Sequence, residues 1–142
     1  MQNKIDHIAI AVRSLKDSLE IYATHFGLRL ESIEEIRDQK TRVALLSTGD
    51  SHLELIEAMG DDSPVAKFID KRGEGLHHIC FWVEDIVGEL ERLNAAGVRL
   101  VDKSPRRGSG GRLIAFVHPS STGGVLIELA QRAQDSNHLP SE

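Results

Sequence analysis

Four side chains recur in pairs along this sequence. His7 and His78 open two similar apolar runs, IDHIAIAV (5–12) and LHHICFWV (76–83), while Glu54 and Glu128 sit in two similar closing runs, HLEL and LIEL. The histidines stand 71 positions apart and the glutamates 74, a difference that a change in loop length accounts for. Two imidazoles and two carboxylates suit a divalent ion of borderline character (Co, Zn, Mn, Ni or Fe), with positions left over for water or substrate. Inward carboxylates without a cation would repel each other, so an ion resolves a problem these residue types create. A single His or Glu in a strand is usually solvated or hydrogen-bonded, and it is the repeat that lifts the quartet above that reading. A lone Cys80 excludes an internal disulfide and a thiolate zinc site, leaving His and carboxylate as the metal donors.

The elements that must position these residues follow from the apolar periodicity, which switches between two and about 3.6 in a repeated order. After the strand at 5–12, Ser14 is a candidate N-cap, Leu15, Leu19 and Tyr22 form a helical stripe, and Gly27 ends it. Strands are predicted around 29–34, 41–47 and 52–57. A connector helix at about 63–72 follows, with Asp62 or Ser63 as cap and Pro64 in its first turn. The pattern then restarts: the strand at 76–83, Asp85 as cap, the stripe Ile86, Leu90 and Leu93, Gly97 as the stop, and strands around 99–101, 112–118 and 125–130. This reads as one domain over 1–130, with a first βαβββ module at about 4–58 and a second at about 75–130. The polar tail 131–142 is expected to fray and is assigned no function. A βαβββ module alone would expose a whole sheet face, so the expected fold class is α+β, two tandem modules forming one curved mixed sheet around a metal-binding cleft.

Strand alternation decides which side chains share a face. Ile8, Ile10 and Val12 are expected under the first helix, leaving His7, Ala9 and Ala11 opposite. Ile79, Phe81 and Val83 likewise leave His78, Cys80 and Trp82 opposite. The same logic puts Glu54 and Glu128 on the side away from the helices. His77 is expected to face the other way from His78 and to be structural or supporting.

Composition narrows the function classes. The 142 residues are 40% hydrophobic and 27% charged with a mean hydropathy of -0.23, an ordinary globular composition. A net charge of -5 gives no global attraction to nucleic acid or to an anionic membrane. The N-terminal stretch MQNKIDHIAIAVRSL lacks a long apolar segment and no run approaches the ~18 residues that span a bilayer, so the expected location is the cytoplasm.

The duplicated units and their quartet resemble the vicinal oxygen chelate superfamily, which includes glyoxalase I, extradiol dioxygenases and antibiotic-resistance binding proteins. The segments DHIAIAV (6–12), DSPVAKFI (62–69), GEGLHHICF (73–81), GRLIAFVHP (111–119) and GGVLIEL (123–129) are similar, in the same order, to those of methylmalonyl-CoA epimerases. That resemblance implies His7, Glu54, His78 and Glu128 as metal ligands. It implies epimerisation by 1,1-proton transfer through a metal-stabilised enolate, with Glu128 and Glu54 as catalytic candidates. Some members have Gln where this chain has Glu54, and some carry a Glu in the preceding strand where this chain has Val43. The implied partner is an acyl-CoA thioester. Lys103, Arg106 and Arg107, leading into a loop that contains Gly110 and Gly111, are the candidates for its anionic end. The resemblance also implies a homodimer. Two alternatives stay open: a glyoxalase I-type lyase acting on a glutathione hemithioacetal, and a metal-free small-molecule binding protein of the same fold.

Overall fold

The computed structural model describes residues 4–133, the side chain of Ser109 apart. Contacts divide the chain into two compact units, one of residues 6–79 and one running from Cys80 onward together with the segment up to Ile5. The first holds β1 (Ile5–Ala11) from Asp6 onward, α1 (Leu15–Leu19), β2 (Arg29–Ile36), β3 (Thr41–Ser47), β4 (His52–Ala58) and α2 (Pro64–Arg72). β5 (Gly75–Trp82) gives its first half to that unit and its second half to the next, which continues with α3 (Ile86–Ala95), β6 (Arg106–Arg107), β7 (Leu113–Val117) and β8 (Leu126–Gln131). Strand order is β2-β3-β4-β1-β5 in the first unit and β5-β8-β7-β6 in the second. β1 runs parallel to β4, while the β2–β3, β3–β4, β6–β7 and β7–β8 pairs are antiparallel. The fold class is therefore α+β, with the tandem βαβββ order that the periodicity predicts. Among the described residues, no helix is long and apolar enough to cross a membrane.

Local chemistry explains where the helices start. Ser14 accepts from the Asp17 N–H, Ser63 from Val65 and Asp85 from Gly88, each at 3.1 Å. Pro64 stands at the start of α2, where its missing N–H is no loss. Gly27 and Gly97 follow the first and third helices with φ of 75° and 84°, a left-handed backbone that a side chain would disfavour. The first helix departs from the expected regular stripe. α1 lasts only to Leu19 and then widens into a π-helical turn over Glu20–His25.

A second cap repeats in both units and extends the register seen in the sequence. The Leu15 N–H donates to Glu57 Oε2 at 2.8 Å, and the Ile86 N–H to Gln131 Oε1 at 2.8 Å. Glu57 and Gln131 are 74 positions apart, and Leu15 and Ile86 are 71 apart, the spacings of the glutamates and histidines above. Arg42 also binds Glu57 at 2.6 Å, and its hydrogen bonds to Glu35 and Glu57 push the guanidinium above its ordinary value. Gln131 is thus the end of β8 and an anchor for α3, not the start of an unassigned tail, and 134–142 lie outside the described residues. Gln131→Ala is expected to lower stability by about 1 kcal/mol through the orphaned helix N–H. Urea unfolding should show this as a lower midpoint with an unchanged slope.

Each unit is cored on one sheet face by the helix of its repeat. Leu15 with Leu19 meets Val12, Ala44, Leu46 and Leu55 in the first. Ile86 and Leu90 meet Val83, Ala115, Val117 and Leu129 in the second. The expectation that the opposite face is free of helices fails in the first unit, where Val65 and Ile69 of α2 pack on Ala9, Ala11 and Ile56. The small side chains of Ala9 and Ala11, both fully buried, leave room for a helix to lie there. A second correction concerns residues 99–101. They form no strand, only a bridge between Leu100 and Val117, and β6 is the pair Arg106–Arg107 paired to Ile114 and Leu113.

Candidate metal centre

His7 leaves β1 on the face of Ala9 and Ala11, His78 projects from β5, and Glu54 stands on β4 opposite Leu45 of β3. One ligand atom from each of His7, Glu54 and His78 lies within 4.8 Å of the other two, all inside the first unit. His7 and His78 are 3% and 8% exposed. Their Nε2 atoms face each other at 3.1 Å with the rings edge to face. Glu54 Oε2 lies 3.5 Å from His7 Nδ1, its side chain about a fifth exposed.

Both outer ring nitrogens are occupied. His7 Nδ1 meets Asp6 Oδ2 at 2.7 Å, so the carboxylate accepts the Nδ1 proton and leaves Nε2 as an acceptor. His78 Nδ1 meets His77 Nδ1 at 2.8 Å, and the His77 ring stacks on Phe68 with centroids 4.7 Å apart. Two proton arrangements satisfy this chain. In one, His77 donates to His78, which donates through Nε2 to His7. In the other, His78 donates through Nδ1 to His77, and two Nε2 lone pairs converge.

The second arrangement fits a metal. Two imidazole nitrogens bound to one ion at about 2.1 Å and about 95° stand about 3.1 Å apart. The carboxylates of Asp6 and Glu54 supply negative charge beside that point, as a divalent ion requires. Asp6 and His77 are the residues that alternation does not reveal: it carries no signal for Asp6, and it turns His77 away from His78. Each neighbours a candidate ligand in the chain, and strand alternation sends neighbours to opposite faces. Only the buried side-chain torsions bring them together. A carboxylate holding the far nitrogen of a ligating His sets its tautomer and raises its basicity. Asp6→Asn is therefore expected to weaken Co or Zn binding 10–100-fold in a competitive chelator titration; unchanged affinity would remove Asp6 from the centre.

The other candidates fall elsewhere. Glu128, 6% exposed, is on β8 of the second unit, opposite Phe116 and on the face of Ala130. Val43 is on the same face of β3 as Leu45 and packs against the apolar cluster under α2, so it brings no proton-transfer group. Lys103 and Arg107 are exposed. Arg106 is drawn to Asp102 at 3.4 Å and over the Phe116 ring, while Gly110 and Gly111 take φ of 69° and 77° in the loop before β7.

Residues 6–116 match the Glyoxalase/Bleomycin resistance protein/Dioxygenase superfamily. The chain is 42% identical over 136 residues to an uncharacterized protein, YqjC, of Bacillus subtilis, covering 96% of this chain and 97% of that one. It is 35% identical over 131 residues to the mitochondrial methylmalonyl-CoA epimerase of Dictyostelium discoideum, covering 91% of this chain and 78% of the relative. A solved methylmalonyl-CoA epimerase in complex with methylmalonyl-CoA and NH4+ superposes with a TM-score of 0.84 at 37% identity, covering 94% of this chain and 96% of that structure. The chain belongs to the Glyoxalase/Bleomycin resistance protein/Dioxygenase superfamily, with methylmalonyl-CoA epimerases among its relatives.

Proposed function

We propose that this protein is a metal-dependent epimerase of methylmalonyl-CoA or a closely similar acyl-CoA thioester. The observation that carries the reading is the pair of imidazoles whose Nε2 atoms stand 3.1 Å apart with Glu54 in reach, in a chain whose relatives include epimerases of this thioester. A divalent ion held by His7, Glu54 and His78 would supply positive charge where negative charge develops on the substrate's oxygens. Glu128 is assigned as the remaining protein ligand on the strength of the repeat, because Glu57 and Gln131 do the same job at the same spacing in the two units.

Epimerisation removes a proton from a carbon between two carbonyl groups and returns one to the opposite face. In this reading Glu54 and Glu128 move those protons. Val43 takes no part, being apolar and packed in the cluster with Ala9, Ala11 and Ile56.

The test is deuterium incorporation at the α-carbon of methylmalonyl-CoA in heavy water, with metal-stripped protein before and after adding cobalt. Metal-dependent exchange together with loss of stereochemical purity supports the epimerase. Bound metal without exchange overturns it and points to another reaction of the superfamily.

A further inference from the structure

The repeat that pairs the two histidines also pairs the residues that hold them. Asp6 and His77 stand 71 positions apart, the spacing of His7 and His78, and each immediately precedes a candidate metal ligand. Each also meets the outer nitrogen of the histidine that follows it: Asp6 Oδ2 is 2.7 Å from His7 Nδ1, and His77 Nδ1 is 2.8 Å from His78 Nδ1. One position of the repeat therefore has one job in both copies, done by a carboxylate in the first and by an imidazole in the second.

The imidazole suits its neighbour. The His77 ring lies beside Phe68 of α2 with centroids 4.7 Å apart and planes inclined by 57°, and the Arg72 guanidinium sits 5.9 Å from the centroid of the same Phe68 ring. α2 is held there by Val65 and Ile69, which pack on Ala9, Ala11 and Ile56. An aromatic ring carries negative charge on its face, a poor neighbour for a carboxylate and a good one for a second ring. An imidazole does the carboxylate's work in only one arrangement: its Nδ1 must present a lone pair, so that His78 donates from Nδ1 and keeps the Nε2 lone pair for an ion. Packing beside Phe68 restricts the plane of the His77 ring, and with it the direction of Nδ1.

We propose that His77 is a positioning residue of the metal centre: backed by Phe68, it accepts the His78 Nδ1 proton and so directs the His78 Nε2 lone pair toward the ion, as Asp6 does for His7. The proposal rests on the metal-dependent reading above, and it adds that α2, through Phe68, shapes the centre.

Two substitutions separate this role from packing. His77→Phe keeps a ring beside Phe68 and removes the acceptor, whereas His77→Asp gives up the ring and supplies the acceptor that the first copy uses. Cobalt affinity, read by competition with a chromophoric chelator, is expected to fall about 10–100-fold in His77→Phe and to stay within about threefold of the unaltered protein in His77→Asp. Thermal unfolding of the metal-free proteins is expected to run the other way, with His77→Asp unfolding at a lower temperature than His77→Phe. A packing role alone puts the two variants in the same order in both measurements. His77→Leu and His77→Asn replace His77→Phe and His77→Asp, respectively, if either fails to fold. Tight cobalt binding by both the unaltered protein and the folded variant without an acceptor overturns this proposal alone, as does a loss in His77→Asp as large as that in His77→Phe. An unaltered protein that binds no cobalt overturns the metal-dependent reading and this proposal together.

Discussion

His78→Ala is expected to leave the purified protein with less than about a tenth of the wild-type metal after dialysis, and to lower α-proton exchange at least about 10³-fold. His78 is one of three donors in the first unit, and its Nε2 is the atom that faces His7 Nε2 at 3.1 Å. Alanine removes that donor and also the partner of His77 Nδ1. The loss of one buried hydrogen bond costs about 1–3 kcal/mol, within what a domain of this size tolerates. The far-ultraviolet circular dichroism spectrum should therefore stay that of the folded protein. Full metal stoichiometry in a folded His78→Ala protein would remove this cluster as the metal site.

Glu128→Gln carries the second large effect. Glutamine keeps the length and an oxygen but cannot exchange a proton with a carbon acid, and loss of a general acid or base lowers rate by about 10²–10⁴. The exchange rate should fall by that factor. Metal content, measured on the same preparation, separates the two roles assigned to this side chain. Retained metal with lost exchange marks a proton carrier, whereas parallel loss of both marks a ligand. Exchange at the wild-type rate would exclude Glu128 from the chemistry.

The repeat was legible because it is a property of the chain itself. The spacing of His7 to His78 reappears as Leu15 to Ile86, and that of Glu54 to Glu128 reappears as Glu57 to Gln131, now as pairs of hydrogen-bonded caps. Period-two alternation correctly separated Ile10 and Val12, which meet α1, from Ala9 and Ala11. Less could be read where the signal was short. The run at 99–101 reads as a strand, yet its N–H and carbonyl groups find partners at Phe116, His118 and Ser121 without forming one. The two-residue β6 is too brief for any periodicity to show.

By itself the sequence determined the order of elements, the side of the strands on which His7, Glu54, His78 and Glu128 stand, and the helix starts at Ser14 and Asp85, while for the connector helix it left Asp62 and Ser63 open and the structure selects Ser63. Each depends on neighbours within a turn or along a strand. Tertiary structure alone decided that α2 covers Ala9 and Ala11, and that Asp6 and His77 hold the outer nitrogens of the two histidines. The physical reason is that alternation fixes only a direction. Whether two side chains touch depends on rotamers and on distances between segments far apart in the chain, which only the packed structure sets.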